Sequence, residues 1–194
     1  MQTDRWPSGH TELTNGPIRV QVETIEHLFS AIDPMPMRQR DLDTEIEDWM
    51  VTWAEELPRD HEIVLEVSVG DHSWIGLEEP VEAGIRNNFS YREWSTGRRL
   101  ARLMRDGRIS LVIGLAALIA LTTAGRLIEA ANGGTFLRIV EEGLGVAGWV
   151  AMWRPMEIFL YEWWPIRRER RIYRRLAAAV VVFSTAGDAG VPSG

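Results

Sequence analysis

An α+β domain joined to a transmembrane α-helical hairpin is the fold class that this chain of 194 residues predicts. Three observations carry that expectation. Ile109 to Gly125 (ISLVIGLAALIALTTAG) holds no charge, and Gly143 to Trp164 is nearly as apolar, carrying only Arg154, Glu157 and Glu162. Arginines crowd the outer flanks of the pair: Arg98, Arg99, Arg102, Arg105 and Arg108 before the first stretch, Arg167, Arg168, Arg170, Arg171, Arg174 and Arg175 after the second. The segment in front is polar and acidic, and it shows strand alternation and one amphipathic helix.

The elements follow in order. Residues 1–17 read as a flexible arm, rich in polar residues, Gly and Pro. From Ile18 the chain alternates, with Ile18, Val20 and Val22 on one side and Arg19, Gln21 and Glu23 on the other, the period of a half-buried strand. A short helical turn with Ile25, Leu28 and Phe29 leads into Asp33-Pro34-Met35-Pro36, where the prolines impose extended backbone. Thr44 and Glu47 match the S/T-x-x-E capping box, and Ile46, Trp49, Met50, Trp53 and Leu57 fall on one helical face before Pro58. A second strand alternates Ile63, Leu65, Val67 and Val69 against Glu62, Glu66 and Ser68. Gly70 to Pro80 reads as a loop. From Val81 a helix runs to the membrane, with Ile85, Phe89, Leu100, Leu103 and Met104 as contact positions; Gly97 and Gly107 weaken it without breaking it.

The implied organisation is an arm (1–17), a cytoplasmic α+β domain of two to three strands (18–80) and a helix leading into the membrane (81–108). A first span (109–128), an extracytoplasmic connection (129–142) and a second span (143–165) follow. A basic helix with a candidate return strand (166–184) and a disordered tail (185–194) end the chain. The return strand is sought in Ala177–Phe183 (AAAVVVF).

The net charge of −7 hides a segregation. Residues 1–85 hold five arginines against nineteen acids, a balance of −14. Residues 86–108 hold seven arginines and two acids, and residues 165–175 hold six and one, each a balance of +5. An acidic front half is repelled by phosphates, which argues against nucleic acid as a partner. The basic runs adjoin the apolar stretches, where anionic headgroups attract them. There is no cysteine, which excludes disulfides, thiolate nucleophiles and cysteine metal sites. There is no lysine either, which a GC-rich genome explains more simply than a demand for guanidinium. The N-terminal stretch lacks the apolar core of a secretory signal, so the hairpin is expected to direct its own insertion.

About 20 apolar residues cross the hydrocarbon as a helix. Ile109–Ile128 and Gly143–Trp164 both reach that length. Only Arg126 and Arg138 fall between the stretches, against eleven arginines on the flanks, the asymmetry of a hairpin with both ends inside. Tyr161, Trp163 and Trp164 sit where an inner aromatic belt belongs, beside Arg105, Arg108, Arg167 and Arg168. Small residues recur at helical spacing: Ala116, Ala120 and Ala124 on the first stretch, Gly143, Ala147 and Ala151 on the second. Such stripes allow close backbone approach in lipid, between the two helices or between copies of the chain. Gly143 to Gly148 also matches G-x-G-x-x-G, but without a preceding strand or a βαβ unit it reads as helix packing.

Arg154 is the residue that a plain anchor does not need. A central arginine costs on the order of 2.5–3.5 kcal/mol on insertion scales, so it calls for a partner or water. Glu157 stands three residues later, within ion-pair reach on the same helix face. Pro155 lacks an N–H and frees the carbonyl of Ala151. Because Arg154 follows Ala151 on the small-residue stripe, it is expected to face protein more than lipid. Three roles remain open: a structural pair, a contact between copies, or part of a conduction path in a multimer.

The front domain offers little chemistry. Asp33, Arg38, Arg40, Asp41 and Asp43 crowd one connection, where capping and surface ion pairs account for them more simply than a cation or phosphate site. The histidines (His10, His27, His61, His72) show no ligand spacing, and no P-loop, G-x-S-x-G or zinc pattern occurs. No catalytic residue, cofactor or metal is expected.

Two stretches, Ile32–Asp43 (IDPMPMRQRDLD) and Gly148–Arg168 (GWVAMWRPMEIFLYEWWPIRR), together with the arginine-flanked first span, resemble an uncharacterised family of bacterial two-span inner-membrane proteins with a small cytoplasmic domain. The resemblance covers most of residues 18–183 and implies topology, not activity. The expectation is a multi-pass inner-membrane protein with both termini cytoplasmic. Its partners would be the lipid bilayer, an unknown protein and, in a homo-oligomer, further copies of itself. Its role would be that of an adaptor, scaffold or accessory subunit.

Overall fold

A computed structural model describes residues 16–58, 61–72, 74–130 and 135–185. Residues 1–15 of the expected arm, 186–194 of the expected tail and 131–134 of the expected connection lie outside the described residues. The chain divides into two compact units, Met1–Trp94 with Arg170–Gly194, and Ser95–Glu169.

The first unit is built on a three-stranded sheet of β1 (Ile18–Val22), β2 (Val64–Val69) and β3 (Val180–Thr185), with β2 in the centre. All pairing is parallel: Ile18 stands beside Leu65 and Val22 beside Val69, while Val64 stands beside Val180 and Val69 beside Thr185. Alternation sets the faces. Ile18, Val20 and Val22 of β1 and Leu65, Val67 and Val69 of β2 are buried, while Arg19 pairs with Glu66 at 2.9 Å on the opposite face. The Val-rich segment after the basic helix is therefore the third strand, beginning three residues later than Ala177. Parallel strands need crossover connections. The first crossover holds helix α1 (Thr44–Glu56). The second leaves through helix α2 (Glu78–Ala130) and returns through helix α5 (Trp163–Ala177), so the whole second unit is inserted between β2 and β3.

One core cluster holds the buried sheet face together with Met50 and Ala54 of α1, Val81, Ile85 and Phe89 of α2, and Ile172 and Leu176 of α5. Ile85 and Phe89 thus make the contacts their spacing predicted. The start of α1 differs from expectation. Asp43 is the N-cap, its carboxylate accepting the Glu45 N–H at 3.0 Å, and Thr44 is the first helical residue. Glu47 is free for another use: it is buried, and the Arg92 guanidinium forks onto it, Nε to Oε1 and Nη2 to Oε2, both at 2.7 Å. That hydrogen bond raises the Arg92 pKa further above its ordinary value. The expected apolar face of α1 is rotated as well, since Met50 is fully buried while Trp49 is exposed. No basic residue stands in the last turn of α1. Arg175 supplies the missing donors from α5, bonding the carbonyls of Ala54 (3.4 Å), Pro58 (2.7 Å) and His61 (3.1 Å).

The connection before α1 is braced by Asp33, whose carboxylate accepts the N–H groups of Met35 (3.0 Å) and Asp41 (2.8 Å). The Asp41 bond, more than the Met35 bond, holds its pKa below the ordinary carboxylate value. A carboxyl with a lowered folded pKa contributes stability above its unfolded pKa and loses it as pH falls through the folded value. Asp33→Asn is accordingly expected to lower stability at neutral pH and to flatten the acid limb below about pH 4. Unfolding midpoints measured from neutral pH down to strongly acidic pH check this; an unchanged acid limb would reject the brace.

Helix α2 continues through Gly97 and Gly107 without interruption and begins at Glu78, inside the expected loop. The segment Glu78–Leu127 is long and apolar enough to cross a membrane, with an 18-residue window of mean hydropathy 1.8, of which only 11% is buried. The second apolar stretch is not the single helix expected over 143–165. It is divided into α3 (Thr135–Ala151), a short α4 (Trp153–Glu157), a π-turn (Ile158–Glu162) and the start of α5. The break falls at Met152, where Pro155 has no N–H to give the Ala151 carbonyl.

Candidate functional site

The charged residues of the second apolar stretch meet in one cluster within the second unit. Arg154 Nη1 donates to Glu157 Oε2 at 3.0 Å, as the three-residue spacing predicted, and the same nitrogen donates to Glu162. Glu162 was not foreseen as a partner. Eight residues on a regular α-helix are about 80° off the starting face. The π-turn Ile158–Glu162 absorbs one extra residue, so Glu162 lies close to where the seventh residue of an α-helix would stand. One arginine thus faces two carboxylates, and the cluster carries a formal charge of −1. The Arg154 side chain is 58% exposed, not turned onto the neighbouring helix as its place on the stripe suggested. Near it, Trp149 and Trp153 pair at 6.1 Å, both exposed.

Helix packing inside this unit uses other residues than the alanine stripes. Ala116 and Ala120 are exposed and Ala124 is half-buried. Ala147 is exposed, and nothing lies near the position a Gly143 side chain would take. The close approaches occur at glycines. A Cβ on Gly107 would meet Ile158 Cγ2 at 2.8 Å, one on Gly114 would meet the Ala151 carbonyl oxygen at 2.8 Å, and one on Gly148 would meet Leu118 Cδ1 at 3.0 Å. These pairings run in opposite chain directions, so the two apolar segments lie antiparallel against each other. Of the six stripe residues, only Ala151 takes part in these approaches, through its carbonyl. That carbonyl, freed by Pro155, rests against Gly114 and not against Arg154. The signal available in the sequence was Gly107, Gly114 and Gly125, spaced seven and eleven apart along one face; all three are buried.

The expected interface residues are placed at the surface. Arg105, Arg108, Arg167 and Arg168 are exposed, as are Tyr161 and Trp164. Trp163 is half-buried, its indole N–H donates to the Phe159 carbonyl at 2.7 Å, and the Arg167 guanidinium sits 5.7 Å from its ring centre. Among the described residues no group of three or more His, Asp or Glu side chains could hold a metal ion. No protein-family model, curated protein or solved structure matches the chain, so the resemblance to two-span inner-membrane proteins rests on its own residues alone.

Proposed function

We propose that the chain is an integral inner-membrane protein whose two apolar segments form a two-span hairpin with both termini cytoplasmic, and that it acts as an adaptor or accessory subunit presenting its acidic domain to a protein partner. The observation that carries this reading is the apolar window of α2, which is almost wholly unburied although a soluble protein's core helix would be covered. Exposed residues such as Val112, Ile113, Ile119, Val146 and Val150 suit lipid contact. The exposed arginines below them suit the inner headgroups, and the −14 balance of residues 1–85 suits a basic partner surface. The resemblance noted in the sequence points the same way.

The cysteine-free background permits a direct test. Cysteines placed one at a time at His27, Ala130 and Ala178 are probed in intact cells with a membrane-impermeant thiol reagent. Only the cysteine at Ala130 is expected to react from outside; labelling at His27 or Ala178 would overturn the topology. A second reading, an oligomeric channel or transport component, draws on the exposed Arg154–Glu157–Glu162 cluster. For the adaptor, Arg154→Leu leaves partner crosslinking in membranes intact and changes membrane level less than about twofold. Ion or proton flux in liposomes, abolished by that substitution, would favour the channel instead.

A further inference from the structure

The sheet of the first unit has two edges, β1 and β3, because β2 is central. The Val180 N–H donates to the Ile63 carbonyl at 3.0 Å, on the β2 side. Backbone groups alternate along a strand, so those of Val182 and Ser184 also face β2. The N–H and C=O groups of Val181 and Phe183 therefore point to the open edge, and among the described residues no hydrogen bond reaches them. Edges are ordinarily blunted by charge, proline or a bulge. β1 has such a guard: Arg19 and Gln21 stand on its outer face, and Glu23 follows its last residue. β3 (VVVFST) has no charge, no proline and no glycine. Its Val180 and Val182 are 52% and 46% exposed. They lie on the sheet face opposite the core, since Val181 and Phe183 stand beside the buried Leu65 and Val67. Parallel sheets are seldom left bare on one face, and here α1, α2 and α5 all join the core cluster on the other.

We propose that β3 pairs antiparallel with β3 of a second copy about a two-fold axis at Val182, joining two three-stranded sheets into one. A second copy is the occupant because the strand complements itself. With Val182 opposite Val182, Val180 meets Ser184 and Val181 meets Phe183 in both directions. Val181 and Phe183, whose backbone groups are open, then form the hydrogen-bonded pairs, and each of their N–H groups finds a carbonyl. Their side chains set an aromatic ring against a β-branched residue, a favourable combination across strands. Centring the axis on Phe183 instead would set two rings opposite each other, each already stacked on Trp74. β3 carries no charge with which to select a foreign strand. The assembly also closes, because the edges left after pairing are both β1, which its charges protect. A single strand pair covers less than the roughly 1,200 Å² of stable complexes, so the dimer exchanges rather than persists. This surface lies within the first unit and does not rest on the membrane reading.

The test uses the full chain, which has no native cysteine, oxidised with copper phenanthroline in lysed cells before any detergent is added. Opposed residues of a non-hydrogen-bonded pair have Cα atoms about 4.5 Å apart, within disulfide reach. Val182→Cys is expected to give a linked dimer at about tenfold or more the yield of Gln21→Cys on β1, with no higher species. Val180→Cys and Ser184→Cys copies, produced together, are expected to link to each other. Neither is expected to link to itself when produced alone, because the two copies of position 180 then stand about 13 Å apart. A Val182→Cys chain that stays monomeric overturns the proposal. So does equal linking at Gln21, which would mean unspecific aggregation, or self-linking of Val180→Cys, which would mean parallel pairing.

Discussion

A chain ending at Ala179, and so lacking β3, is expected to lose the folded first unit. β2 is the central strand, and its residues Leu65, Val67 and Val69 are fully buried. Removing β3 strips the hydrogen-bonding partner from Val64 to Val69 along their whole length. It also removes Val181 and Phe183 from the core edge, including the stacking of Phe183 on Trp74 at 5.8 Å. Burial of large apolar side chains contributes roughly 1.5–3 kcal/mol each when complete, so the two half-buried side chains and the ladder together come to about 3–5 kcal/mol. A domain of this size has a total stability of about 5–15 kcal/mol, and a two-stranded sheet is marginal by itself. Hydrogen exchange followed by mass spectrometry reads the outcome: the Val64–Val69 amides are protected in the full chain and exchange freely in the shortened one. Equal protection would mean that β1 and the helices suffice.

The second large effect concerns Arg92 and Glu47, whose environments differ. The Glu47 side chain is 5% exposed and that of Arg92 is 44% exposed. Arg92→Ala leaves a buried carboxylate with no cation, a loss of about 3 kcal/mol or more. Glu47→Ala lets the longer arginine swing into water and is expected to cost about 1–2 kcal/mol. The double variant is expected to be closer to Glu47→Ala than to the sum of the two, because removing the carboxylate relieves the defect that the arginine substitution creates. Chemical denaturation of the four proteins, followed by the amide protection of α1, checks the asymmetry. Equal costs for the two single variants would show that the pair acts as an ordinary surface ion pair.

What could be read from sequence was whatever depends on periodicity over a short window. The alternation of Ile18–Val22 and of Leu65–Val69 named both buried sheet faces, and Ile85 and Phe89 were found from helical spacing. The Arg154–Glu157 pair followed from a three-residue interval. The misses have physical causes of two kinds. Some are local competitions that spacing does not rank. Asp43 and Thr44 are both good N-caps; Asp43 takes the position, while Glu47 turns inward to Arg92, forty-five residues away, and is not available for a capping box with Thr44. Glu162 joins Arg154 only because a π-turn resets the helical phase, and no residue type announces a π-turn. The stripe of small residues left open packing between the two helices or between copies; within the chain the close approaches fall at glycines, because only a glycine admits the Ala151 carbonyl at Gly114.

The other kind is long-range. Nothing in the strand segments says that all three run parallel, that β2 lies between β1 and β3, or that the apolar pair is inserted between β2 and β3 in the chain. Nor does composition show that Arg175 caps α1 or that the Asn88 Nδ2 is buried without a hydrogen-bond partner. The two apolar segments and their arginine flanks are properties of residue type along the chain, and the sequence alone determined them, because partition between water and apolar surroundings is summed over neighbours. Strand order, the glycine contacts and the Arg92–Glu47 ion pair depend on which distant residues are brought within a few ångströms of each other. Only the tertiary structure decided those.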